Sequence, residues 1–172
     1  MKVIIGGAGI TGLAVGAYLE KKKINYKIFE RSDSSSNSTT AIQLASNCHF
    51  VLQELNLLDD ITNLSIQRSA LNVYSEDRYL TKISITNSSN EGTLFIRRKD
   101  LLSTIASLIP RDKVYYSSTI ENISSNQQNV DVVINNKQLT SDLFVGSLGQ
   151  QSSAASNLTK TNTIACWGIS NI

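Results

Sequence analysis

The hexapeptide Gly7-Ala8-Gly9-Ile10-Thr11-Gly12 constrains this chain more than any other stretch. A G-x-G-x-x-G spacing is common by itself, so its neighbours decide its meaning. Before it, Lys2–Gly6 is a short apolar run of the kind that forms a buried parallel strand. After it, Leu13, Ala14, Ala17 and Tyr18 recur at helical spacing and predict a helix over Ile10–Lys22. That helix closes on Lys21, Lys22 and Lys23, where cations suit the negative end of the helix dipole. Tyr26–Glu30 reads as a second strand, so residues 1–31 make a βαβ unit.

The residue types in this turn point to a dinucleotide. Gly7 allows the tight turn, Gly9 lets a pyrophosphate approach the backbone, and Gly12 lets helix and strand pack closely. Gly16 extends that small face by one turn. The phosphates would sit at the helix N-terminus, where free N–H groups and the dipole favour negative charge. Glu30 falls at the end of the second strand, about 20 residues past the glycines, where a carboxylate accepts hydrogen bonds from ribose hydroxyls and repels a 2′-phosphate. The binding candidates are therefore Gly7, Ala8, Gly9, Ile10, Thr11, Gly12 and Glu30. The opposing reading is a glycine-rich turn with an incidental surface glutamate.

Further along, 46–58 is expected to be helical, with Val51, Leu55 and Leu58 on one face and Ser46 or Asn47 as N-cap. Residues 71–75, 79–85 and 93–96 alternate like strands, and Arg98–Ile109 returns to helical spacing, stopped by Pro110. Residues 113–117 predict a short strand. Those at 119–124, 129–134 and 137–140 predict a meander, with Asn135-Asn136 as a type I′ turn. Ser141–Val145 reads as a further buried strand, 151–163 as a loop and Thr163–Gly168 as the start of another strand.

A net charge of +2 points neither to nucleic acid nor to an anionic membrane surface. Cys48 and Cys166 are far apart and lack any CxxC or Cys/His spacing, so neither a disulfide framework nor a metal site is expected. His49, the single histidine, has no nucleophile arrangement around it and reads as structural. No apolar run is long enough to span a bilayer, and the chain opens on Met1-Lys2 and a strand. A cytoplasmic location without a leader is the expectation.

At this point four ordered segments carry a resemblance. VIIGGAGITGLAVGAYLEKKKINYKIFER, AIQLASN with QELNLLDDI, FIRRKDLLSTI and SDLFVGSLGQQSSAA together resemble the FAD-dependent aromatic hydroxylases, the p-hydroxybenzoate hydroxylase-like flavoprotein monooxygenases. The last segment is similar to that family's D-L-V-I-G-A-D-G-x-x-S-x-V-R. The resemblance implies an α/β, Rossmann-like FAD/NAD(P)-binding fold, with a parallel sheet, a β-meander crossover and an incomplete substrate-domain sheet. The whole of 1–172 would be the FAD-binding domain: 1–31 the ADP-binding unit, 71–96 strands of a partial substrate domain, and 113–149 the remaining strands and meander.

The implied activity is that of a monooxygenase. NADH or NADPH would reduce FAD, and a flavin hydroperoxide would pass an oxygen atom to a small organic substrate. Glu30 would bind the adenosine ribose with Arg31 beside it, and Arg98 would reach FAD from the start of its helix. Ile120 would lie near the adenine and Gln43 near the flavin. No catalytic residue is assigned, and neither the substrate nor the oligomeric state is legible.

Two departures accompany the resemblance. Leu148 and Ala155 stand where the family has aspartate and arginine, and a leucine neither accepts hydrogen bonds nor carries charge. Family members also continue past the position of Ile172, so a fragment, a natural truncation or a degenerate relative is expected. Three functions stay open: an FAD-dependent monooxygenase or part of one, a non-catalytic dinucleotide-binding remnant, and an NAD-dependent dehydrogenase. The meander at 119–140 counts against the last, since simple doubly wound domains place helices there.

Overall fold

The computed structural model describes residues 1–34, 40–86 and 92–149. In chain order it contains β1 (Lys2–Gly6), α1 (Ile10–Lys21), β2 (Asn25–Phe29), β3 (Ala41–Leu44), α2 (His49–Glu54) and α3 (Leu58–Asn63). These are followed by β4 (Ile66–Arg68), β5 (Ala70–Ser75), β6 (Arg78–Ser84), β7 (Thr93–Arg97) and α4 (Arg98–Ala106). The last elements are β8 (Val114–Tyr115), β9 (Ile120–Ser125), β10 (Val130–Ile134), β11 (Lys137–Ser141) and β12 (Leu143–Gly146). The described residues divide into two compact units, 1–34 with 105–149 and 40–86 with 92–104. The architecture is the expected Rossmann-like α/β fold, a parallel sheet joined by antiparallel ones.

The first unit is built on a parallel sheet of order β12-β1-β2-β8. Both faces of its centre are covered, which is why β1 and β2 read as near-continuous apolar runs. Val3, Ile4, Ile5, Tyr26 and Ile28 are all 0% exposed. On one face α1 rests against β2: a Cβ at Gly16 would lie 2.7 Å from Ile28 Cδ1 and 3.3 Å from Tyr26 Cε2. Only a residue without a side chain permits that approach. On the other face Ile4 and Phe29 pack with Val132 and Ile134 of the antiparallel meander β11-β10-β9. Because side chains alternate along a strand, β1 can serve both layers from successive residues.

The meander follows its expected course. Asn135 and Asn136 have φ of 47° and 61°, the two left-handed residues that a type I′ hairpin turn requires. Helix α1 differs in one respect from expectation: Tyr18 is 41% exposed, and the buried face is Gly12, Leu13, Gly16 and Ala17. The helix ends one residue early because Lys23 turns left-handed at φ 56°, and Ile24 N–H donates to Leu19 O at 2.9 Å.

The second unit holds the antiparallel sheet β3-β7-β4, the hairpin β5-β6, and helices α2 and α3. Here the single helix expected over 46–58 is replaced by a 3-10 turn at Ser46–Cys48, then α2, then α3. Asn56 causes the break. At φ 58° it is the left-handed residue after α2, with Asn56 N–H donating to Gln53 O and Leu57 N–H to Leu52 O. The break moves the buried face to Leu52, Leu55, Leu57 and Ile61, leaving Val51 45% exposed. Neither Ser46 nor Asn47 caps a helix: Ala45 precedes the 3-10 turn, and Cys48 precedes α2 without a side-chain cap.

Strands β3 and β4 are too short to show a period, and they exist because both pair with β7. Helix α4 stops at Ala106, with Leu108 and Ile109 in the turn beyond it. The expected loop at 151–163, the strand at Thr163–Gly168, Cys166 and Ala155 lie outside the described residues. Among the described residues no helix is long and apolar enough to cross a membrane.

Candidate functional site

The first unit gathers the glycine turn, Glu30 and the end of β12 at the C-terminal edge of the parallel sheet, the edge where open α/β sheets bind ligands. Gly7 leaves β1 with φ 97°, a conformation suited to glycine, and its N–H donates to Phe29 O at 2.7 Å. A Cβ on Gly7 would collide with the Ser147 carbonyl, and one on Gly12 would collide with the Gly7 carbonyl. These two glycines are therefore required by the fold itself. Gly9 is different: a Cβ there would meet no atom within 4 Å. Its lack of a side chain leaves the backbone open to a ligand.

Gly9 is also the N-cap of α1 and makes no side-chain cap bond, and no acidic residue occupies the first turn. Leu13 N–H donates to Gly9 O at 2.9 Å, the first bond of the helix. Ile10, Thr11 and Gly12 thus have no acceptor within the helix for their N–H groups. Their amides and the helix dipole make a position suited to an anion.

Glu30 follows β2 and is fixed from three directions. Its Oε2 accepts the Ala8 N–H at 2.7 Å and its Oε1 accepts the Ser32 N–H at 2.9 Å. Its own N–H donates to Tyr115 O at 2.8 Å. Partial burial raises its pKa, but the Ser32 and Ala8 hydrogen bonds, with the Arg31 charge, outweigh burial and hold it below the usual carboxylate value. The group is ionised at neutral pH. With four lone-pair positions shared among two amides and the Ser32 hydroxyl, it can still accept from a ribose hydroxyl.

The remaining candidates are distributed between the units. Arg31 is exposed beside Glu30. Ile120 opens β9 half-buried, packs against the Ile4–Phe29–Val132–Ile134 cluster, and its Cδ1 would lie 2.7 Å from a Cβ on Gly6. Gln43 and Arg98 belong to the second unit. Gln43 is exposed on β3 opposite Phe95, and Arg98 starts α4, with its N–H donating to Thr40 O at 2.8 Å. His49 is half-buried at the start of α2.

Sequence reasoning missed Ser147, whose Oγ lies 2.7 Å from Gly6 O and 3.0 Å from Gly7 O. The signal was a hydroxyl residue directly after the strand that pairs with β1. Leu148 beside it is half-buried, with Cδ2 2.9 Å from a Cβ placed on Gly6. Leucine at this position adds apolar contact at the strand end where an acid would add charge.

No family model matches the chain. In sequence it is 37% identical over 78 residues to the FAD-dependent monooxygenase pytG of Aspergillus terreus, covering 45% of this chain and 23% of that protein. It is 27% identical over 156 residues to 2-heptyl-3-hydroxy-4(1H)-quinolone synthase of Pseudomonas aeruginosa, covering 89% of this chain and 41% of that one. Its fold matches p-nitrophenol 4-monooxygenase PnpA from Pseudomonas putida with a TM-score of 0.78 at 16% identity, over 90% of this chain and 42% of that structure. The chain thus spans less than half the length of these relatives. The resemblance to flavin-dependent monooxygenases read from its motifs holds in both sequence and fold.

Proposed function

We propose that this chain is the FAD-binding part of an FAD-dependent monooxygenase, with the ADP half of the cofactor held by residues 7–12 and Glu30. The observation that carries the reading is the pairing of an open Gly9 backbone at the start of α1 with a fixed, ionised Glu30. A pyrophosphate fits the first and a ribose diol the second. The same carboxylate disfavours a 2′-phosphate in this site, which argues for FAD over NADP there. Arg31, Ile120, Gln43 and Arg98 are the further side chains we assign to the cofactor.

When bound, a flavin supplies the redox and oxygen chemistry, and the protein binds, orients and shields it. The reductant would be NADH or NADPH, the substrate a small organic molecule, and the location cytoplasmic. A second reading, dinucleotide binding without turnover, is favoured by Leu148, which contributes neither charge nor an acceptor.

Inspection of the purified chain for flavin absorbance, then fluorescence titration with FAD and with NADH, tests these readings. FAD binding with no coupled hydroxylation is the expected result for this chain. Stoichiometric hydroxylated product would remove the non-catalytic reading. Preferential NADH binding with no affinity for FAD would overturn the proposal and support a dehydrogenase.

A further inference from the structure

The peptide unit joining Gly7 to Ala8 is held at both ends. In a trans peptide the C=O and N–H point in opposite directions. Here the single Ser147 hydroxyl proton is shared between Gly6 O at 2.7 Å and Gly7 O at 3.0 Å, and the Ala8 nitrogen donates to Glu30 Oε2 at 2.7 Å. One contact comes from the residue after β12 and the other from the residue after β2, the two neighbours of β1 in the sheet. Ser147 is itself anchored, because its N–H donates to Gly6 O at 2.8 Å, the same oxygen its Oγ approaches at 2.7 Å.

We infer that Ser147 is a positioning residue of the dinucleotide site, forming with Glu30 a two-sided clamp that fixes the plane of the Gly7–Ala8 peptide. The plane matters because Gly7 sits at φ 97°, where glycine has several accessible conformations and no side chain to select among them. A rotation of this peptide would swing the chain that leads to Gly9 and the first amides of α1. It would also release Glu30 from Ala8 and free the carboxylate from the orientation in which it meets a diol. The Ser147 hydroxyl fills the neighbouring space as well, since a Cβ on Gly12 would come within 2.7 Å of Oγ. Ser147 therefore meets the first glycine of the motif and occupies the space that a side chain on the third would need, and its role is argued through the turn rather than through contact with the cofactor.

The inference rests on the FAD reading for its ligand but not for its mechanical claim, and the test separates the two. Amide hydrogen exchange, urea denaturation and FAD titration are compared for the wild-type chain and Ser147→Ala. Loss of one neutral hydrogen bond is expected to raise the FAD dissociation constant about fivefold. Ala8 exchange should accelerate by a similar factor, while the amides of Val3, Ile4 and Ile5 keep their protection. Uniform acceleration that includes the β1 amides, or failure of the variant to fold, would make Ser147 merely structural and overturn the inference. Unchanged exchange at Ala8 would overturn it too, as would unchanged affinity for FAD. If the wild-type chain binds no FAD, the functional reading falls, and Ala8 exchange alone decides whether the clamp exists.

Discussion

Glu30 receives the backbone N–H of Ala8 at 2.7 Å, so the carboxylate assigned to the ribose is also a brace for the glycine turn. The two roles share one ionised group. Burial works against its charge, and the amides of Ser32 and Ala8 with the Arg31 charge more than offset it, so its pKa is lower in the folded than in the unfolded chain. A lowered carboxylate pKa contributes stability that is present above the unfolded value and is lost as pH falls through the folded value. Glu30→Gln should therefore be less stable than wild type at neutral pH. The difference should shrink through the acid range, and urea denaturation of both chains at pH 7 and below pH ~4 measures it. A constant gap across that range would contradict this account.

The glycines of the turn should separate into two classes. Gly12→Ala places a Cβ against the Gly7 carbonyl, a backbone atom that cannot move alone. A loss of about 1–3 kcal/mol is expected, the usual cost of overpacking. Gly9→Ala adds a methyl where no atom lies within 4 Å, at a φ of −76° that alanine adopts freely. Its thermal midpoint should fall less than that of Gly12→Ala, by no more than the loss of a favoured N-cap residue costs, while its FAD affinity falls. Parallel melting curves and titrations check both halves, and equal destabilisation by the two substitutions would refute the distinction.

Most of this site was readable because its chemistry is local. The glycine spacing, the flanking apolar runs and Glu30 all lie within residues 1–31, and the observed β1, α1 and β2 end within a residue or two of expectation. What escaped depends on contacts distant in sequence. Ser147 meets Gly6 and Gly7 across about 140 positions, as no periodicity could foretell. Strands β3 and β4 are defined by pairing with β7 rather than by their own pattern. The break at Asn56 is local, since asparagine readily adopts the left-handed conformation that ends a helix, but the leucine periodicity runs on past it and masks the stop.

The turn between β10 and β11 offers a stabilising change. Asn136 occupies the second left-handed position at φ 61°, where glycine avoids the steric cost that any Cβ carries. Its N–H faces the Glu121 carboxylate at 3.2 and 3.3 Å, a backbone contact that glycine retains. Asn136→Gly should raise stability by up to about 1 kcal/mol. Asn135 behaves oppositely: its side chain accepts the Thr119 N–H at 2.9 Å and donates to Ser117 O at 2.8 Å. Asn135→Gly should lower stability despite the same φ argument, and denaturation midpoints of the two variants should move in opposite directions.

Tyr26 carries the last prediction, because its ring and its hydroxyl have opposing effects. The ring is 0% exposed beneath α1, with Lys113 Nζ 5.6 Å from its centroid. Its hydroxyl is buried and makes no hydrogen bond of normal geometry among the described residues. Burial first, and then the Glu20 carboxylate, raise the phenol pKa well above its ordinary value of 10.0. Tyr26→Phe keeps the ring and removes a buried hydroxyl whose nearest acceptor is the Glu20 carboxylate, so stability near neutral pH should change by less than about 1 kcal/mol. Above pH 10.0 the unfolded chain loses this proton while the folded chain keeps it, so wild-type stability should fall as pH rises. The phenylalanine variant has no such proton to lose. The variant's stability relative to wild type should rise between about pH 9 and pH ~11 in urea denaturation, whereas a gap that stays constant or closes would show that the phenol pKa is not raised in the folded chain.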